Sequence, residues 1–405
     1  MNILVLDEWL PSIQNSGKSI RTFQLLAPLA KRHNITYLAH VDEQSQRENV
    51  SSMENAGFKV FCVPRKMPYA TPMAMLVGIV PALLDTYPIS VRRHFSEDYA
   101  RKIKELVRNH SFDLVHVEWT HYGVYGKYVP DLPQFACTHN VEYLSWTRFV
   151  KATSNPIKKI LGIHEAYKLK NFEKAYYGGI DYFSVVSEDD QRLAQKEFGL
   201  DNICVVPNGV AIAPYDEIPN NPIQDRLVYC GSMDAFINQD AVAYFIKEIF
   251  PLILKQKPNV TFTVIGRDPP ESLLKLGNDK IKFTGRVPDI RVPLKEGMVE
   301  VVPLRIAGGS RLKILEAFAA KIPVLSTTIG AEGLDCLDGR EIVLADTPDD
   351  FAQRCVELLD SPNKRTPLTE AGRKLVDEKY DWSRISPLVE QAWEETIRRF
   401  QFKRK

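Results

Sequence analysis

The chain is organised by short, continuous apolar runs that close on a glycine or a polar residue and then give way to helical stretches. Ile3–Leu6, Ile35–Ala39, Gly57–Val63, Leu114–Val117, Gln134–Thr138, Tyr182–Val186 and Val205–Val210 are the first seven. Continuous rather than alternating apolar character marks strands covered on both faces of a parallel sheet. Between them lie Arg21–Arg32, with Leu25, Leu26, Leu29 and Ala30 on one side, and Ser96–Asn109, which ends in basic residues as its dipole prefers. Strands alternating with helices over this length predict a doubly wound α/β sheet.

The alternation then stops and restarts. Ala213–Gln224 is polar and proline-containing and reads as a linker. Beyond it come Leu227–Cys230, Val260–Ile265, Ile281–Thr284, Glu300–Val302 and Ile342–Leu344, with helices at Asp240–Phe250, Asp349–Leu359 and Leu368–Tyr380. A chain of 405 residues exceeds one core. The expected division is 1–211 and 212–384, two Rossmann-like domains, with 385–405 as a last amphipathic helix.

Composition narrows the partners. A net charge of +1 gives no footprint for nucleic acid. Six cysteines without CxxC or Cys/His spacing point to a reducing, cytoplasmic setting and away from structural zinc. MNILVLDEWL lacks a basic leader region and reads as a first strand rather than a signal peptide. Met73–Leu84 is too short to cross a bilayer and reads as a buried helix. The terminal IRRFQFKRK reads as a solvated helix end, with peripheral contact to anionic lipid at the inner face of the membrane as the alternative.

The strongest chemical signal is Val302–Leu334: a strand, a Gly308-Gly309 turn, a short helix, a second strand and a second glycine turn. Helix N-termini present unpaired N–H groups and partial positive charge. Ser310 is a good N-cap, and Arg311 and Lys313 carry the wrong sign for the first turn unless an anion faces them. A phosphate or diphosphate is the natural anion. Glu316 follows the cap by roughly 9 Å at 1.5 Å per residue, about the distance from a nucleotide's diphosphate to its ribose hydroxyls. For Lys313 and Glu316 alone, an i,i+3 surface pair is the plainer reading.

Other loops carry weaker signals. Gly231-Ser232, Gly266-Arg267 and Gly285-Arg286-Val287 each follow a strand, so one carboxyl edge is shaped for close approach of a ligand. SIQNSGKS, Ser12–Ser19, lacks the first glycine of a P-loop, yet sets Gly17, Lys18 and Arg21 at the other carboxyl edge. GxGxxG is absent, which disfavours a dinucleotide dehydrogenase. His139 taken alone reads as a hydrogen-bonded loop histidine; its place after a strand, beside Asn140 and Glu142, favours a functional reading. The spacing of His116, Glu118 and His121 does not set all three on one face, and a solvated edge is expected there. Glu188 reads as a helix cap.

Two α/β halves and a leftover helix resemble the GT-B glycosyltransferases, and specifically glycosyltransferase family 4. The resemblance rests on the Gly17 loop with Arg21, THNVEY around His139, VVPNGV, YCGSMD, VIGR, TGRVPD and, above all, GGSRLKILEAFA followed by GAEGL. It implies a retaining transferase, with 1–211 as acceptor domain, 212–384 as nucleotide-sugar donor domain and the last helix crossing back to the first. By this resemblance Glu316 holds the donor ribose, and Arg311 and Lys313 neutralise the diphosphate with the N–H groups of Gly308, Gly309 and Ser310. Arg267 and Val287 lie near the nucleotide, Gly17 lets the backbone pass close to the phosphates, and His139 faces the reacting sugar. Many relatives carry a glutamate where this chain has Gly308, and a lysine where Asn238 stands nearby; Arg311 and Lys313 are expected to replace that charge.

The implied activity moves a sugar from a nucleotide-diphosphate donor, UDP- or GDP-linked, to a glycan or lipid-linked acceptor in bacterial cell-surface assembly. No DxD pair is present, so metal-independent catalysis and no separate cofactor are expected. Fixed dipoles and two cations would stabilise the leaving diphosphate. A binding protein of the same fold without catalysis, and a sugar-nucleotide epimerase, are the competing readings.

Overall fold

A computed structural model describes residues 1–11, 17–42, 46–65, 85–139, 141–153, 155–306 and 312–404. The helix expected at Met73–Leu84 lies outside them. The chain forms two compact units, Met1–Pro207 with Ile385–Lys405, and Asn208–Arg384.

The first unit holds β1 (Asn2–Trp9), β2 (Asn34–Val41), β3 (Lys59–Pro64), β4 (Leu114–Val117), β5 (Gln134–Cys137), β6 (Tyr182–Val185) and β7 (Ile203–Val205) in one sheet of order β3-β2-β1-β4-β5-β6-β7. Every pairing is parallel, with Ile3 opposite both Ile35 and Leu114. Ile3 to Leu6 are wholly buried, as a central strand covered on both faces requires. Chain order reverses at β1, which lies between β2 and β4. The crevice beyond their carboxyl ends is therefore a topological switch point, where ligands bind in such sheets.

The first helix runs Gly17–Ala30, beginning earlier than the sequence predicts and making Gly17 its first residue rather than a loop residue. Lys18 in that first turn opposes the helix dipole, and the buried carboxylate of Asp7 at 2.6 Å holds it there. The last helix, Trp382–Lys403, joins the first unit from Ile385 onward. Its Trp393 is fully buried and donates to His116 Nδ1 at 3.2 Å, and Ser386 donates to the Leu25 carbonyl at 2.7 Å. The basic tail is tied to the same unit: Lys403 pairs with Asp181 at 3.2 Å and Arg404 with Asp131 at 2.7 Å.

The second unit holds β8 (Arg226–Cys230), β9 (Thr261–Ile265), β10 (Ile281–Phe283), β11 (Val299–Val302), β12 (Val324–Ser326) and β13 (Val343–Leu344), again all parallel, in the order β10-β9-β8-β11-β12-β13. Order reverses between β8 and β11, so the glycine-ended strands β8, β9 and β10 stand side by side on one arm of the switch point. The predicted linker contains a short helix, Ala213–Asp216, anchored by buried Tyr215. Among the described residues no helix is long and apolar enough to cross a membrane.

Candidate functional site

At the second unit's switch point the backbone comes first. Gly231 donates its N–H to the Ile265 carbonyl at 2.9 Å, and Met233 donates to the Arg267 carbonyl at 2.9 Å, so the turns after β8 and β9 are laced together. A Cβ on Gly266 would lie 1.8 Å from the Gly231 carbonyl oxygen, and only glycine permits that approach. Gly266→Ala must push these backbones apart, and we expect it to destabilise the protein by about 3 kcal/mol. Gly285, at φ +65° with open space around its Cβ position, should lose only about 1–2 kcal/mol as alanine, the cost of a left-handed backbone for an L side chain. Urea unfolding of both variants checks the contrast; equal losses would refute it.

Side chains then fill the edge. Arg267 donates through Nε to Ser232 Oγ at 2.9 Å and through a terminal nitrogen to Asp234 at 3.1 Å. Asn238 donates to the Ser232 carbonyl at 2.7 Å and accepts from the Tyr229 hydroxyl at 2.6 Å. Lys313, in the helix Leu312–Ala319, reaches both: its Nζ is 2.7 Å from the Tyr229 hydroxyl, 3.0 Å from Asn238 Oδ1 and 3.9 Å from the Tyr229 ring centroid. A Cβ on Gly231 would meet that ammonium at 2.9 Å. One cation is thus fixed beside a bare backbone turn. Val287 is half-buried against the unit's core.

Gly308, Gly309, Ser310 and Arg311 lie outside the described residues. Glu316, on the same helix as Lys313, is half-buried; burial pushes its carboxyl up to about 7, with Lys313 pulling the other way. The sequence reading missed Glu300 on β11. It is fully buried, accepts the Cys230 N–H at 3.3 Å, and leaves Oε2 without a hydrogen-bond partner. Burial raises it to about 8, again offset by Lys313. A charged residue inside the valine run Val299–Val302 was the available signal.

In the first unit the switch point carries a denser polar set. Glu118, immediately after β4, is fully buried rather than on a solvated edge, as are His116 and His121. Its Oε2 lies 2.8 Å from His116 Nε2, and its Oε1 accepts from Thr22 at 2.8 Å and lies 3.3 Å from His139 Nε2. Burial opposes its charge, but the two imidazoles hold Glu118 well below the usual carboxylate range. His139 Nε2 also lies 3.2 Å from the Glu118 carbonyl, so Nε2 carries the hydrogen and Nδ1 is left as an acceptor. Burial lowers the His139 pKa, with Glu118 offsetting it, which favours neutral imidazole. Asn140 lies outside the described residues. His121 sits apart, its ring centroid 4.0 Å from Trp119, and burial takes it down to about 3.

Arg21 is buried and donates to the carbonyls of Val206 at 2.7 Å and Pro207 at 2.6 Å, which makes it a clamp on the VVPN segment. Lys18 lies 4.7 Å from the Trp119 ring centroid, and Trp119 donates to Glu142 at 2.9 Å. Ser187, not Glu188, caps the helix Glu188–Phe198 by accepting from the Asp190 N–H at 3.1 Å. His116, Glu118 and Cys137 are the one metal-capable trio among the described residues. Arg21 donating to Cys137 at 3.6 Å places a fixed cation on it, an unfit neighbour for a metal.

Comparison with known proteins covers both halves. A model described as Glycosyltransferase Family 4 matches residues 16–213, and one described as Glycosyl transferases group 1 matches 224–361. A protein of Klebsiella pneumoniae, described as an uncharacterized 44.6 kDa protein in the cps region, is 20% identical over 360 residues, 87% of this chain and 88% of that one. A GDP-mannose-dependent monoacylated alpha-(1-6)-phosphatidylinositol monomannoside mannosyltransferase of Corynebacterium glutamicum is 23% identical over 240 residues, 53% of this chain and 57% of its own. Among solved structures, sucrose-phosphate synthase from Thermosynechococcus elongatus superposes with a TM-score of 0.70 at 16% identity, covering 97% of this chain and 98% of the other. Anabaena HepE, in complex with UDP and glucose, gives 0.67 at 13% identity, covering 97% and 99%.

Proposed function

We propose, on the premise that this chain belongs to the family-4-like glycosyltransferases of GT-B fold, that it transfers a sugar with retention from a nucleotide diphosphate to a glycan or lipid-linked acceptor. The observation that carries the reading is Lys313. Its ammonium is held by Tyr229 and Asn238 beside Gly231, at the switch point of the second unit. A fixed cation next to open backbone suits a diphosphate.

In this reading Lys313 and Arg311 take up the charge that develops on the leaving diphosphate, so no metal is required. Glu316 accepts the ribose hydroxyls. The bond between the sugar's anomeric carbon and the phosphate oxygen breaks as the acceptor oxygen bonds to the same face, and the acceptor's proton passes to the departing diphosphate. His139, neutral and with Nδ1 free of a hydrogen, is assigned to the transferred sugar as a hydrogen-bond acceptor. Two relatives support the donor class: the HepE structure holds UDP, and the Corynebacterium enzyme is named for GDP-mannose. Six free cysteines support a reducing, cytoplasmic setting.

Thermal shift with UDP-, GDP- and ADP-sugars, followed by turnover with the stabilising donor, tests this. Donor binding without any transfer or hydrolysis would instead favour a binding protein, the reading that glycine at 308 keeps in play. Glu316→Gln is expected to weaken donor binding about ten-fold, since a hydrogen bond to a charged group is worth roughly 1.5–3 kcal/mol. Wild-type donor affinity should improve as pH rises through about 7, where Glu316 ionises, and the variant should lose that step. A flat wild-type profile would remove Glu316 from the ribose.

A further inference from the structure

Glu300 sits where the sheet of the second unit opens. β8 pairs with β9 from Arg226 as far as Cys230, opposite Ile265, whereas its register with β11 ends at Val228, opposite Glu300. Past that point the Cys230 N–H, on a buried residue, needs another acceptor. Glu300 supplies it from its side chain, at 3.3 Å. The residue is fully buried among the equally buried Val299, Val301 and Val302, and its second carboxyl oxygen has no hydrogen-bond partner.

Holding one N–H does not account for a carboxyl. An uncharged amide does the same, and a buried carboxylate with a bare oxygen is costly. What the carboxyl adds is a place for a proton. The groups that face it are Lys313 and Glu316 from the helix Leu312–Ala319, the Cys230 thiol from β8 and the Tyr215 hydroxyl from the linker helix. Burial keeps the thiol and the phenol protonated, so among these groups Lys313 is the cation and Glu316 the other acid. Lys313 and Glu300 border the same peptide. The ammonium would lie 2.9 Å from a Cβ on Gly231, and the carboxyl takes the N–H of Cys230.

A diphosphate on Lys313 changes the balance at that peptide. Lys313 is what favours the ionised carboxyl. Once two phosphates answer its charge, the carboxylate faces only anions through a buried interior, and like charges raise proton affinity. We propose that Glu300 is a positioning residue for the donor's diphosphate: its carboxyl holds the Cys230–Gly231 turn and takes up one proton from solvent when the diphosphate settles on Lys313. The proton goes to the bare oxygen, the other oxygen keeps the Cys230 N–H, and one negative charge is removed from beside the diphosphate. In the free protein burial brings this carboxyl to about 8, so near that pH the exchange is measurable. By linkage, proton and donor strengthen each other's binding by the same factor. The inference rests on the assignment of the donor diphosphate to Lys313.

Calorimetry tests it with UDP-glucose, GDP-mannose and ADP-glucose, none of which has a group that titrates near neutral pH. Each is run at about pH 8 in HEPES and in Tris, two buffers of different ionisation enthalpy. Wild-type protein should take up roughly half a proton per donor bound, and its affinity should fall by up to about ten-fold per pH unit above 8. Glu300→Gln keeps the acceptor for Cys230; it should bind donor with no proton uptake and no alkaline fall. Glu316→Gln should keep the uptake, which assigns the proton to Glu300. Glu300→Leu, without an acceptor, should bind about ten-fold more weakly than Glu300→Gln. Donor binding without proton uptake in the wild type, or with equal uptake in Glu300→Gln, would overturn this inference and leave the donor assignment standing. No binding of any of the three donors would overturn both.

Discussion

Lys313→Met should lower kcat by two to three orders of magnitude while leaving KM for the donor within about ten-fold. Removing a fixed group aimed at transition-state charge typically costs about 3–4 kcal/mol in the barrier, and a loss confined to kcat marks an interaction made chiefly in the transition state. Methionine keeps an unbranched stem over the Tyr229 ring, so folding should survive. Asn238→Ala and Tyr229→Phe, which only release the ammonium from its holders, should each lose about ten-fold. That ordering separates a charge on the diphosphate from a mere packing role. Wild-type kcat in Lys313→Met would refute the assignment. Losses in the two holder variants equal to that of Lys313→Met would mean that the hydrogen-bonded trio acts through the fold instead.

Much of this arrangement is legible in the sequence because it is local. A strand's continuous apolar run and the glycine that closes it are neighbours in the chain, so the two parallel sheets follow directly from residues such as Ile3–Leu6 and Leu227–Cys230. The doubly wound α/β architecture and the family resemblance hold on the same grounds. The polar network of the first unit is not local. Glu118 meets Thr22 from 96 residues away, and His116 meets Trp393 from 277 residues away. Spacing along one strand end therefore made His116, Glu118 and His121 read as a solvated edge. The long helix Pro156–Gly179 escaped for another reason: apolar on both sides, it shows no single 3.6-residue stripe.

That hidden network should dominate the stability of the first unit. Glu118→Ala is expected to cost about 3–5 kcal/mol, the usual penalty for breaking a buried, hydrogen-bonded charge set, because His116, His139 and Thr22 all lose their partner together. Glu118→Gln, which keeps the shape and one acceptor, should lose less, about 2 kcal/mol. The pH dependence distinguishes them from a simple cavity. Because the folded-state pKa of Glu118 is depressed, its contribution is present above the unfolded value near 4.5 and is lost as pH falls through the folded one. His116 adds no alkaline limb: its Nδ1 accepts from the Trp393 indole, so the ring is neutral with its hydrogen on Nε2, toward Glu118. Wild-type protein should thus weaken at the acid end, and Glu118→Gln should flatten the profile there. Four of the five tryptophans, Trp9, Trp119, Trp146 and Trp393, belong to the first unit, so intrinsic fluorescence during urea unfolding at pH 4, 7 and 9 reports on it. A variant that kept the wild-type difference between pH 7 and pH 4 would show that the acid sensitivity lies elsewhere.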